Sequence, residues 1–106
     1  MTTPSFSGIS LGVDKLTAPQ IKTALAAAPA WLKRCNTITR SFVFEDFPAA
    51  INFVNAVAKL SEKAWHHPDI DIRSNKVTLA LTTHDKGGLT EKDFTLARKF
   101  DEKARG

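Results

Sequence analysis

The spacing of apolar residues along the chain predicts three helices and four strands. Apolar residues recur every three or four positions after Thr17, after Asp46 and after Thr90, as in helices that bury one face. The first helix is predicted to stop at Pro29 and the second to run to about Trp65. Between the helices lie two pairs of short segments. In the first pair, Thr37–Phe44 mixes β-branched and aromatic residues, and in the second, Lys76–Thr83 alternates apolar with polar residues. These predicted strands are Trp31–Cys35, Thr37–Phe44, Ile70–Ser74 and Lys76–Thr83.

Residues with oxygen-bearing side chains stand where each helix begins. Thr17, Asp46 and Thr90 can accept hydrogen bonds from the first free backbone N–H groups, as N-caps do. Asp93 stands three residues after Thr90, which is the spacing of a capping box, so capping the last helix is one interpretation of this carboxylate. Pro68 prevents the second helix from continuing and favours an extended backbone just before it.

The order of the predicted elements is α-β-β-α-β-β-α. Strands arrive in hairpin pairs and a helix separates the pairs, which favours a mostly antiparallel sheet. The sequence therefore predicts a two-layer α+β fold, with a four-stranded sheet and three helices on one of its faces. Residues 1–15, which begin with many Ser, Thr, Gly and Pro residues, are predicted to form a flexible leader, and residues 16–106 a single domain.

The composition is that of one soluble globular domain. The chain has 106 residues, 42% hydrophobic and 25% charged, so it can bury one core but cannot enclose a large cofactor. No apolar run is long enough to span a membrane, and Lys22 interrupts Ile21–Ala30, the segment most similar to a signal peptide. A cytoplasmic location is therefore predicted. The net charge of +4 is spread from Lys15 to Arg105 among acidic residues, which argues against a nucleic-acid-binding surface.

All three histidines lie at predicted ends of secondary structure. His66 and His67 follow the second helix, and His84 follows the last strand. Imidazole can donate or accept a proton near neutral pH, so these residues suit general acid–base catalysis. Glu62 stands four residues before His66 and can orient its ring if the helix persists that far. The alternative is that the histidines only bind the free carbonyl groups at the helix end.

Metal and thiol chemistry are less well supported by the sequence. Three imidazoles can bind zinc with one position left open. However, the adjacent His66 and His67 form an awkward chelate and lack the one-turn spacing of helical zinc motifs. Cys35 is the single cysteine, which excludes an intramolecular disulfide, and its predicted strand position favours a small packed apolar side chain. We therefore expect neither a metal nor a cofactor.

The segments around the histidines resemble the signature of pterin-4a-carbinolamine dehydratases. The segment EKAWHHP has an acidic residue, three further positions and then His-His-Pro, and TLALTTHDKGGLTEKDF supplies another histidine and a closing aspartate. The resemblance is close over roughly the last half of the chain. The matching residues are Glu62, His66, His67, Pro68, His84 and Asp93.

The resemblance implies a lyase that removes water from 4a-hydroxytetrahydropterin to give quinonoid dihydropterin, as in the recycling of tetrahydrobiopterin. One group must protonate the departing hydroxyl and another must take a ring proton. Glu62 is expected to orient the first histidine, and Asp93 to support the site near the third. The implied catalytic residues are His66, His84 and Glu62. The implied substrate-binding residues are His67, Pro68 and Asp93.

Two positions depart from the family pattern and keep a second interpretation open. Ser74 stands where the signature has an aromatic residue, and Ile70 stands where family members often carry one. An aromatic residue there can pack the strand, contact another subunit or wall the pterin. The alternative is therefore a non-catalytic binding or assembly factor on the same fold, with a protein client. In either case the family implies a homodimer or homotetramer, which would cover the edges of so short a sheet.

Overall fold

The order of helices and strands confirms the predicted α-β-β-α-β-β-α arrangement. A computed structural model describes residues 14–106, so all but the last two residues of the predicted leader lie outside the described residues. The helices are α1 (Ala18–Ala26), α2 (Phe47–Ala64) and α3 (Glu91–Ala104). The strands are β1 (Leu32–Arg34), β2 (Thr37–Val43), β3 (Asp69–Arg73) and β4 (Lys76–Leu81). A short 3-10 turn, His84–Lys86, connects β4 to α3.

The four strands form one antiparallel sheet in the order β1-β2-β4-β3. Residues directly opposite each other in antiparallel neighbours have side chains on the same face of the sheet. Ile38 of β2 lies opposite Leu81 of β4, Phe42 lies opposite Val77, and all four side chains are buried. Val43, on the alternate face of β2, is exposed. The helices among residues 14–106 therefore cover one face of the sheet, as predicted.

The core lies between this face of the sheet and the helices α2 and α3. The apolar stripes of these two helices contribute Ala50, Phe53, Val57, Phe94, Ala97 and Phe100 to it. Helix α1 contributes less, because its apolar residues are only partly buried against this cluster. Burial of a large apolar side chain contributes about 1.5–3 kcal/mol, so α2 and α3 are firmly held supports for the segments at their ends. Within residues 14–106, no helix is long and apolar enough to cross a membrane.

The helices begin at the predicted caps. Oγ1 of Thr17 accepts a hydrogen bond from the N–H of Gln20 at 3.3 Å, and the Gln20 side chain accepts one from the N–H of Thr17 at 2.8 Å. The carboxylate of Asp46 accepts from a backbone N–H in the first turn of α2 at 2.9 Å. The N–H of Thr90 donates to Oδ2 of Asp93 at 2.9 Å, which confirms the capping contact predicted for α3.

Two-residue turns close both hairpins, and each turn begins with a residue of positive φ. Cys35 has φ 55° and Ser74 has φ 56°. The expectation that Cys35 is a packed strand residue is wrong, because β1 ends at Arg34 and the cysteine is exposed in the turn. Ser74 likewise lies beyond the last residue of β3, Arg73, at the opposite end of this strand from Pro68.

Candidate active site

Helix α2 ends just before the adjacent histidines in a left-handed turn. Trp65 has φ 52° and ψ 42°. Its N–H donates to the carbonyl of Glu62 at 3.3 Å, and the N–H of His66 donates to the carbonyl of Ser61 at 3.1 Å. These two bonds form a Schellman motif, in which glycine is the usual left-handed residue. Because the chain leaves the helix at Trp65, His66 does not lie one helical turn above Glu62.

The carboxylate partners of the two adjacent histidines differ from the expected ones. Oε2 of Glu62 lies 2.5 Å from Nε2 of His67. Nε2 of His66 lies 2.5 Å from Oδ1 of Asp93. The expected contact between Glu62 and His66 is therefore not formed. It required α2 to continue through His66, but α2 ends at Ala64.

The carboxylate of Asp93 joins three elements of the fold. Its Oδ1 contacts His66, which follows α2. Its Oδ2 accepts from Oγ1 of Thr83, just after β4, and from the N–H of Thr90, just before α3, each at 2.9 Å. Asp93 is fully buried, so these hydrogen bonds replace those that water would make. One carboxylate therefore fixes the first histidine relative to the segment that leads into His84.

The two pairs of imidazole and carboxylate lie in different surroundings. The side chain of His66 is 11% exposed and that of Asp93 is 0% exposed. The side chains of His67 and Glu62 are 52% and 69% exposed. Electrostatic interactions are stronger where water is excluded and are screened at the surface. The buried pair is therefore a fixed part of the site, whereas the exposed pair can exchange partners with a ligand.

His84 opens the 3-10 turn between β4 and α3. Its side chain is exposed and makes no hydrogen bond to another residue of the described range 14–106. The turn ends at Gly87, whose φ is 73° and whose N–H donates to the carbonyl of His84 at 3.0 Å. The preceding residue, Thr83, is bonded to Asp93. The backbone next to His84 is thus anchored to the same carboxylate as the ring of His66, while the His84 imidazole is accessible.

Pro68 completes the set of residues singled out from the sequence. It lies between His67 and the first residue of β3, Asp69, and its ring favours the extended backbone with which the chain enters this edge strand. The site as a whole offers proton donors and acceptors on supports held by the core. Among residues 14–106, no group of three or more His, Cys, Asp and Glu side chains is placed to hold a metal ion.

The contact between the side chains of Thr83 and Thr90 was not predicted from the sequence. Both are buried, and their hydroxyl oxygens lie 2.8 Å apart. A signal for Thr83 was present, because it continues the alternation of Val77, Leu79 and Leu81 on the buried face of β4. A polar side chain at such a core position needs a hydrogen-bonding partner. The sequence could therefore have indicated a buried polar contact, although not its identity.

The fold and the site together define a class of protein: a two-layer α+β domain that places histidines, oriented by carboxylates, at the ends of a core helix and a core strand. The family model described as pterin 4 alpha carbinolamine dehydratase matches residues 14–103. The chain belongs to the pterin-4a-carbinolamine dehydratase family, which confirms the resemblance found in its sequence.

Relatives from several bacteria support this membership. A protein of Chloroflexus aurantiacus is 58% identical over 90 residues, which are 85% of this chain and 97% of the relative. A protein of Picosynechococcus is 52% identical over 88 residues, which are 83% of this chain and 96% of the relative. The names of both assign them to the pterin-4-alpha-carbinolamine dehydratases.

Two solved structures share the fold. A transcriptional coactivator/pterin dehydratase from Brucella melitensis aligns with a TM-score of 0.83 and 39% identity, covering 86% of this chain and 99% of that one. A pterin dehydratase-like protein identified as a RuBisCO assembly factor of the α-carboxysome aligns with a TM-score of 0.59 and 24% identity, covering 70% of this chain and 86% of that one. The second likeness concerns the fold alone.

Proposed function

We propose that this chain is a pterin-4a-carbinolamine dehydratase, a lyase that removes water from 4a-hydroxytetrahydropterin to give quinonoid dihydropterin in pterin recycling. The observation that carries this proposal is the buried pair of His66 and Asp93, anchored beside His84, in a chain of this family. The reaction needs a proton donor at the departing hydroxyl and a proton acceptor at the ring. Two imidazoles on separate supports can supply both.

We assign the base to His66 and the acid to His84. Because a carboxylate oxygen accepts hydrogen bonds, we assign Nε2 of His66 as the donor to Oδ1 of Asp93, which leaves the lone pair of Nδ1 to accept a proton. That proton comes from a ring nitrogen, and the electron pair of the broken N–H bond forms the double bond to C4a. The C4a–O bond breaks as His84 donates a proton, so the hydroxyl leaves as water. Exchange with solvent restores the proton to His84 and removes it from His66.

The exposed pair of His67 and Glu62 is assigned to binding the pterin. A carboxylate accepts hydrogen bonds from the N–H groups on a pterin's edge, and an imidazole can donate or accept. Because both side chains are solvent-accessible, a bound pterin can reach them without opening the core. Pro68 restricts the backbone next to His67, which reduces the entropy lost when this histidine is ordered by substrate.

Glu62→Gln is expected to raise KM for the pterin about fivefold, with kcat changed less, because it removes a charged acceptor worth about 1 kcal/mol. Exposed ion pairs contribute roughly 0–1 kcal/mol to stability, so the melting temperature should change little. Glu102→Gln, at an exposed position of α3, is the matched control. Steady-state kinetics that show unchanged KM in Glu62→Gln would remove this residue from the binding site.

Ser74→Trp is expected to leave the kinetics of an isolated subunit unchanged within about twofold. The five residues of β3 separate Ser74 from Pro68, which corresponds to about 20 Å along the strand. An aromatic side chain in this turn is therefore too far from His67 to wall a pterin in the same chain. If the tryptophan acts through a subunit contact instead, the change in KM should depend on protein concentration. A concentration-independent gain in affinity would contradict this assignment.

We propose that the chain forms a homo-oligomer through the edge strand β3. Each residue of β3 is exposed, and Ile70 and Ile72, on the core side of the sheet, are 39% and 41% exposed. An edge strand with exposed isoleucines is a surface that a second copy can cover. Light scattering at micromolar concentration should give a dimer or tetramer, and Ile72→Lys should shift it toward monomer. A wild-type monomer at that concentration would overturn the proposal.

Dehydration of freshly generated 4a-hydroxytetrahydropterin tests the proposed function. The wild type is expected to accelerate the loss of water above the spontaneous rate, and folded His66→Ala is expected to lose this acceleration. If the folded wild type shows no turnover above the spontaneous rate, the dehydratase proposal fails, and the alternative of a non-catalytic binding or assembly factor takes its place.

A further inference from the structure

Trp65 is the most exposed large apolar side chain among residues 14–106, with 79% of its surface accessible. A tryptophan that is buried typically removes 150–250 Å² from water, so leaving the indole exposed forgoes a large stabilising contribution. The other tryptophan, Trp31, is 2% exposed, and its Nε1–H donates to Asp101 at 2.9 Å. The two indoles thus have opposite environments, and only one serves the core.

The backbone at Trp65 is also unfavourable for a large residue. Its φ of 52° and ψ of 42° lie in the left-handed region, where glycine and asparagine are favoured and a bulky side chain is uncommon. A residue that carries both an exposed indole and a left-handed backbone is not selected for stability at this position. Such outliers occur preferentially at functional sites.

The indole stands beside the exposed pair of the candidate active site. The ring centroids of Trp65 and His67 are 6.4 Å apart, and their planes are inclined at 80°, an edge-to-face arrangement. The same imidazole contacts the exposed carboxylate of Glu62 at 2.5 Å. The site therefore combines polar groups with a flat apolar surface at right angles to the imidazole.

We propose that Trp65 is the surface on which the pterin ring stacks. This inference rests on the proposed function and extends it to a residue that determines affinity for flat heteroaromatic rings. A pterin is a planar bicyclic ring with polar edges, so its face can lie on the indole while its edge meets His67 and Glu62. Stacking of a planar base on an aromatic side chain is tolerant of ring substituents, so recognition of the edge remains with the polar residues.

The chain has two tryptophans, so replacing Trp31 leaves Trp65 as the single source of tryptophan fluorescence. In Trp31→Phe, titration with 6-methylpterin should quench the emission of Trp65 in a saturable manner, and the pterin should protect it from acrylamide. In Trp65→Phe, the remaining buried Trp31 should be quenched less. Saturable binding of 6-methylpterin to Trp31→Phe without any change in emission or acrylamide protection would overturn the proposal.

Trp65→Asn separates a substrate contact from a structural role. Asparagine tolerates the left-handed backbone, so the melting temperature should stay the same or rise. The Kd for 6-methylpterin and the KM for the reaction should rise about tenfold, while kcat stays within about twofold. Trp65→Phe, which keeps an aromatic face, should retain most of the affinity.

The same variant distinguishes failure of this proposal from failure of the proposed function. If the wild type does not accelerate dehydration but Trp65→Asn weakens 6-methylpterin binding about tenfold, the stacking role stands and the catalytic role does not. If Trp65→Asn leaves both Kd and KM unchanged, the stacking role is overturned. A change of oligomeric state with unchanged Kd would show that the indole is a subunit contact, which also overturns it.

Discussion

Asp93→Asn is expected to lower kcat by about 10²–10⁴-fold, the usual contribution of an acid–base group. Two donors, the Thr83 hydroxyl and the Thr90 N–H, converge on Oδ2, so the single carbonyl oxygen of asparagine must take that position. The amide NH₂ then faces Nε2 of His66, which has to become an acceptor. The imidazole proton moves to Nδ1, and the atom proposed to accept the pterin's proton loses its lone pair. Steady-state kinetics on the folded variant measure this effect.

The same substitution should cost about 1–3 kcal/mol of stability, because the three charge-assisted hydrogen bonds of a buried carboxylate are replaced by weaker neutral ones. Asp101→Asn is the matched control, because Asp101 is a partly buried carboxylate bonded to Trp31 and Arg40 rather than to a histidine. It should lower the melting temperature while leaving turnover per folded molecule nearly unchanged. Full turnover in folded Asp93→Asn would show that the tautomer of His66 is not important for the reaction.

The elements of the fold could be predicted because each has a local signal. In β4 the alternation of apolar residues places Val77, Leu79 and Leu81 on one face, and all three are fully buried. The residues predicted as N-caps, Thr17 and Asp46, accept the expected backbone hydrogen bonds. The predicted strand ends were less accurate, because the turn residues occupy positive φ without being glycine. Nothing in the local pattern marks such residues as turns.

The sequence could propose candidate site residues, but it could not predict which carboxylate contacts which histidine. The contact of His66 with Asp93 joins residues 27 positions apart, so it depends on how α2, β4 and α3 pack. The pairing of Glu62 depends on one residue, Trp65, whose left-handed backbone redirects the chain. No glycine follows Ala64 to indicate that the helix ends there. Helical spacing therefore predicted that Glu62 contacts His66, whereas it contacts His67. Family resemblance predicts which groups take part, whereas the fold determines which carboxylate orients which ring.

His84→Ala is expected to lower kcat by about 10²–10⁴-fold while leaving the protein as stable as the wild type. Its imidazole is exposed and makes no hydrogen bond within residues 14–106, so truncation removes no packing or buried contact. The backbone around it stays in place, because Thr83 remains bonded to Asp93 and Gly87 still closes the turn. Loss of activity at constant stability is the result that a proton donor to the departing hydroxyl should give.

Lys86→Ala is the control for His84→Ala, because Lys86 is exposed in the same 3-10 turn and should keep full activity. His84→Gln adds a second comparison, since glutamine can donate a hydrogen bond but cannot deliver a proton. If His84 only binds the pterin, glutamine should restore much of the activity and the change should appear in KM. If His84 is the acid, glutamine should be as slow as alanine in kcat. A folded His84→Ala with wild-type kcat would exclude this histidine as the acid and leave His67 as the imidazole available for that role.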